Sequence, residues 1–101
     1  MNRYERISRM EGILDRHQEL IDQLQPMLCA FSEHQKECRK LAEYYGSEQF
    51  MKDVDASSKP SFPADLKCGV LSEDAVYNLL ADNHQLAIQM ITTALSILEN
   101  E

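Results

Sequence analysis

Apolar residues recur at alternating spacings of three and four through the first 45 positions of the chain. Ile7, Leu14, Ile21 and Leu28 form one row, continued by Gln35 and Ala42. Met10, His17, Leu24, Phe31, Cys38 and Tyr45 form the second, and Ile13, Leu20, Met27 and Leu41 widen the stripe on one flank. A seven-residue repeat of this kind specifies long helix packed along one seam, as in a bundle or short coiled coil. The pattern predicts one helical region over residues 3–45. Its only breaker is Pro26, which removes a backbone hydrogen bond and crowds the carbonyl of Asp22. Because the rows continue in phase through Ile21, Leu24, Leu28 and Phe31, a kinked helix is favoured over a hairpin, with Pro26 facing away from the seam. Such a helix would be about 65 Å long, unusual for a small domain.

Gly46 is expected to close that helix in the left-handed conformation. Ser47 then has the character of an N-cap for a short helix over about 48–54, with Glu48 at the positive end of its dipole. Residues 55–71 read as a loop, held irregular by Pro60 and Pro63 and pinned by Phe62 and Leu66. A last helix is expected over about 73–98, capped by Ser72, with Leu71 and Val76 spaced as a hydrophobic staple. It carries two apolar stripes. Val76, Leu80, Ala87, Met90, Ala94 and Ile97 form one, and Tyr77, Ile88, Ile91, Leu95 and Leu98 the other. The expected fold is therefore all-α, a single domain in which the long kinked N-terminal helix packs antiparallel on the C-terminal helix, as a helical hairpin or three-helix bundle. The second stripe implies contact on more than one side, and so a self-associating surface, most commonly a C2 homodimer.

Composition adds little chemistry. Apolar residues at 44% and charged residues at 27% are ordinary for a folded domain. The opening residues are polar and no apolar run approaches a membrane span, so neither signal peptide nor membrane association is expected, and a cytoplasmic location follows. Cys29, Cys38 and Cys68 are odd in number; the first two lie about 13 Å apart along a helix, too far to bridge, and reduced thiols are expected.

The net charge of −7 is unevenly placed, with seven bases and eight acids in residues 1–45 and three bases and nine acids in residues 46–101. An acidic surface disfavours direct contact with nucleic acid. Arg3, Arg6 and Arg9 form a small basic row that Glu5, Glu11 and Asp15 largely offset.

No motif carries catalysis. His34 and Cys38 share a helix face, with His84 or Cys68 as conceivable additions, but a structural zinc site needs four ligands and no second close pair exists. Glu73 and Asp74 suit capping better than paired acid–base work, and they would oppose an anion at the helix start. Asp53, Asp55 and Asp65 do not follow the EF-hand spacing. No cofactor or metal is expected, and no enzymatic activity. His17, Gln35 and Asn83 interrupt the apolar rows, where a polar residue either fixes register or lies at the margin of the stripe.

Two segments, Tyr44-Tyr45-Gly46-Ser47-Glu48-Gln49-Phe50-Met51-Lys52-Asp53 and Pro63-Ala64-Asp65-Leu66-Lys67-Cys68-Gly69-Val70-Leu71-Ser72-Glu73-Asp74-Ala75-Val76-Tyr77, resemble the bacterial domain of unknown function 4298 family. The likeness covers nearly the whole chain. Phe50 stands where a tryptophan is common there, Cys68 where a basic residue is common, and Ala56-Ser57-Ser58 replaces a more acidic stretch. The resemblance carries no activity. It directs attention to the turn, the loop and the start of the last helix, where Tyr44, Tyr45, Phe50, Asp53, Asp65, Tyr77 and Asn78 are candidates either to anchor the loop or to form a recognition surface. The leading expectation is a small interaction module that binds a protein partner or itself. The competing class is a small-ligand binder or enzyme using the Tyr/Asp cluster at the loop end.

Overall fold

A computed structural model describes residues 1–101 as three α-helices and one 3-10 turn, without strands. Helix α1 spans Arg3–Tyr45, α2 Glu48–Ser57 and α3 Ala75–Glu99, with the 3-10 turn at Gly69–Leu71. The chain divides into two compact units, Met1–Cys38 and Arg39–Glu101, so that α1 contributes to both. No helix is long and apolar enough to cross a membrane. The three cysteines are free thiols.

In the first unit α1 runs unbroken through Pro26. The ring occupies the outermost position of the seven-residue repeat, where the missing N–H faces water and the apolar rows pass it in phase. Every side chain from Met1 to Ala30 is exposed, and half-burial begins at Phe31, continuing at Gln35 and Cys38. The N-terminal ladder therefore remains open: Ile7 is 53%, Leu14 61% and Leu24 62% exposed.

In the second unit the buried residues are Phe50 from α2 and Val76 from the first turn of α3. Half-buried side chains extend this small core: Leu41, Ala42, Tyr44 and Tyr45 at the end of α1, Val54 in α2, Phe62, and Leu71 in the 3-10 turn. That turn touches both α2 and α3. Along α3 the two stripes separate cleanly. Val76, Leu80, Ala87 and Met90 are sheltered, whereas Ala94 and Ile97 at the end of that row and the whole second stripe from Tyr77 to Leu98 are exposed.

Three local expectations are corrected. Gly46 does not adopt a positive φ. The chain changes direction at Ser47, which is extended at φ −99° and ψ 161°, while the Gly46 N–H still donates to the Ala42 carbonyl as in a continuing helix. Helix α2 runs one turn longer than expected, to Ser57, where the Ser57 and Ser58 hydroxyls donate to the carbonyls of Val54 and Asp55 and satisfy its end. Regular α3 begins at Ala75 rather than 73. Ser72 nevertheless accepts the Ala75 N–H on its hydroxyl at 3.3 Å, because the preceding 3-10 turn delays the helical geometry without displacing the capping group.

Replacing Pro26 with alanine should restore the lost backbone bond and remove a cost of about 3 kcal/mol in α1; the expected outcome is slower amide exchange through residues 22–30, and unchanged exchange there would contradict a continuous helix. Gly46→Ala should be neutral or stabilising by about 0.5 kcal/mol, since its φ is ordinary and the added methyl would meet only the Ala42 and Glu43 carbonyl oxygens, at 3.8 and 3.9 Å. A loss of thermal stability in that variant would point to a left-handed residue after all.

Candidate functional site

The corner between α1 and α2 is built by a two-residue turn. Ser47 caps α2 by accepting the Phe50 N–H on its hydroxyl at 3.3 Å, and the same hydroxyl donates to the Tyr44 carbonyl at 2.6 Å. One side chain thus ties the end of one helix to the start of the next and satisfies an orphan group on each. The tie holds Phe50 against the last turn of α1. Its ring meets Tyr44 edge-on at a centroid distance of 5.5 Å and Tyr45 at 5.1 Å, with interplanar angles of 83° and 67°. Edge-to-face contacts of this kind contribute about 0.5–1.5 kcal/mol each beyond the area they bury.

One turn further along α2, Asp53 receives two donors. The Tyr44 hydroxyl donates to its Oδ2 at 2.5 Å, and the Gln49 amide donates to its Oδ1 at 2.8 Å. The Tyr44 bond holds the Asp53 carboxyl below the usual carboxylate range, and the Gln49 bond adds to the effect. The Tyr44 hydroxyl is raised above its ordinary value, first by the bond its proton makes to Asp53, then by partial burial and the carboxylate's charge. Each carboxylate oxygen of Asp53 thus accepts one hydrogen bond from within the corner.

Two open recesses adjoin this corner, and Leu71 of the 3-10 turn lines both. One, of about 270 Å³, is walled by Tyr44, Asp53, Phe62, Lys67 and Cys68 among others. The second, of about 490 Å³, is walled by Tyr45, Phe50, Met51, Val54 and Glu73. No three His, Cys, Asp or Glu side chains come together as metal ligands.

Of the seven candidate residues, Tyr44, Tyr45, Phe50 and Asp53 form one cluster. Asp65, Tyr77 and Asn78 are exposed and make no hydrogen bond or ring contact with it. Tyr77 is 64% exposed on the outer stripe of α3, and the Asn78 N–H closes the first turn of that helix on the Asp74 carbonyl. Two contributors went unnoticed in the sequence. The four-residue spacing from Gln49 to Asp53 on a helix could have signalled their bond. The second role of Ser47, as donor to Tyr44, has no sequence signature.

The linkage of these two groups to stability can be stated by sign. Asp53 has a lowered pKa in the native state, so its contribution is present above the ordinary carboxylate range and is lost as pH falls through its native value. Tyr44 has a raised pKa, so its contribution is present below about pH 10 and is lost as pH rises through its native value. The thermal midpoint should therefore be level through neutral pH and fall at both extremes. Tyr44→Phe should flatten the alkaline limb and weaken the acid one, and Asp53→Asn should remove the acid contribution. Thermal unfolding followed by circular dichroism across pH would reveal this, and wild-type limbs in both variants would count against the pair.

Comparison with curated proteins and with solved structures gives no match. The family model described as Domain of unknown function (DUF4298) matches residues 7–93, a span that takes in the ladder, the Ser47 corner, the 3-10 turn and most of α3. The chain belongs to the DUF4298 family.

Proposed function

We propose that this protein is a non-enzymatic interaction module that associates through its own apolar helix faces, as a homodimer. The observation that carries the proposal is the open ladder of α1: Ile7, Met10, Leu14, Ile21, Leu24 and Leu28 are all exposed. Internal packing offers no remedy along the full length. Helix α1 has 43 residues and α3 has 25, so wherever α3 lies, about 18 residues of α1, or about 27 Å, extend beyond what it can flank. Covering such side chains contributes roughly 1 kcal/mol each when half their surface is removed from water. An exposed contiguous apolar face on this scale marks an interaction surface. Isolated helices are marginal in water, so association and helix stability in this segment are coupled.

The competing class, a small-ligand binder or enzyme, would use the recess beside Tyr44 and Asp53. That recess offers one carboxylate, and both of its oxygens already accept hydrogen bonds. The exposed ladder therefore favours association.

Sedimentation equilibrium on the full chain should give a mass above the 11.6 kDa of one chain at micromolar concentration. Leu24→Asp should weaken association by at least about tenfold, because it forces a charge into the seam. The far-UV helical signal of the wild type should also decline on dilution. A strict monomer with undiminished helicity would end the proposal.

A further inference from the structure

Along residues 4–30 of α1 the two flanks of the apolar seam carry opposite charge. In the seven-residue repeat, Ile7, Leu14, Ile21 and Leu28 occupy the first position (a), and Met10, His17 and Leu24 the fourth (d). The flank made by the seventh and third positions (g and c) holds Arg6, Arg9 and Arg16 and no acid. The flank made by the fifth and second positions (e and b) holds Glu11, Asp15 and Asp22 and no base. Every one of these side chains is exposed. Only Arg16 has a local ion pair, to Glu19 at 3.1 Å, and both partners are more than 60% exposed, so that pair holds it weakly.

From this arrangement we infer that residues 4–30 pair in parallel with the same residues of a second copy of the chain, as a two-stranded coiled coil. The inference rests on the self-association proposed above and adds its segment, stoichiometry and direction. In a parallel pair the g flank of each helix meets the e flank of its neighbour, and the charges at these positions set partner and orientation. At the seam itself this sets Arg6 against the partner's Glu11, the other g and e positions being uncharged (Ile13, Leu20, Met27, Gln18 and Gln25). Arg9 and Arg16 at c and Asp15 and Asp22 at b extend the same sign outward on each flank. In an antiparallel pair like flanks would meet, bases against bases and acids against acids. The charges of the segment thus favour the parallel direction over the antiparallel one. Packing agrees in part: Ile7 and Ile21 at a with Leu24 at d follow the preference of two-stranded parallel coils, whereas Leu14 and Leu28 at a and Met10 and His17 at d do not select an oligomer state.

The test uses the full chain with Cys29, Cys38 and Cys68 replaced by serine. Leu14→Cys and Leu24→Cys are introduced singly into chains of distinguishable mass, mixed in equal amounts and oxidised in a glutathione buffer. Parallel pairing places each position opposite itself, so each variant should link to its own kind. Predominantly mixed disulfides would show antiparallel pairing and overturn the inference. As a second measurement, Arg6→Glu and Glu11→Arg should each weaken the dimer on the order of tenfold. Both together in one chain should restore it. Positions 6 and 11 are five apart on the helix and cannot compensate within a chain, so restoration reports pairing between chains. A double variant weaker than either single one would also overturn the inference. Association that continues without own-kind disulfides leaves the interaction module standing and removes only the parallel pairing. A strict monomer in every variant and in the wild type removes both.

Discussion

Forty-three residues in one helix and twenty-five in another, joined by one short helix and a single 3-10 turn, set a limit on burial that the rest of the molecule follows. Small domains bury a modest share of their surface in any case. Here the buried set is Phe50 and Val76, both in the second unit and both near its helix starts. Apolar side chains elsewhere are half-sheltered or open. Buried apolar surface in the free chain is therefore concentrated where α2, the 3-10 turn and the beginning of α3 come together, and the exposed end of α1 has none of it.

The Ser47 corner is the device that makes the second unit compact. Its hydroxyl acts as acceptor for α2 and donor to α1, so the two helices are tied together at the turn by hydrogen bonds. Phe50 then fills the inside of the corner, gripped edge-on by two tyrosines. Tyr44 extends the grip to Asp53, one turn further along α2. Each of its carboxylate oxygens accepts one hydrogen bond, so the polar part of the cluster is tied to the same corner as its rings. Tyr44, Tyr45, Phe50 and Asp53 thus join the end of α1 to α2.

Periodicity made the helices legible, because the ladder is a property of one helix and needs no partner to be recognised. The unbroken passage through Pro26 could be read from the phase of Leu24, Leu28 and Phe31. Capping chemistry made Ser47 and Ser72 legible for the same local reason. Features that depend on the angle between helices were not legible. Gly46 looked like a left-handed terminator because it follows the last apolar rung, but Ser47 makes the turn, and no pattern in the chain separates those two solutions. The Tyr44 to Asp53 bond spans nine residues across that turn and could be anticipated only as a shared neighbourhood. Asp65, Tyr77 and Asn78 were grouped with them by proximity to recognisable segments rather than by any force, and they stand apart from the cluster.

The placement of Pro26 bears on what the ladder is for. A proline in the interior of a helix costs about 3 kcal/mol, and the stretch around Pro26 is exposed throughout. Of the seven positions in the repeat it occupies the one farthest from the seam, where a bend leaves both apolar rows and both charged flanks in register. If residues 1–30 served only as a polar extension, nothing would keep Ile21, Leu24 and Leu28 in phase across the break, nor confine Arg6, Arg9 and Arg16 to one side and Glu11, Asp15 and Asp22 to the other. Apolar rungs maintained on both sides of a helix-weakening residue, and flanked by opposite charges, are what the proposed pairing of α1 with a second helix requires.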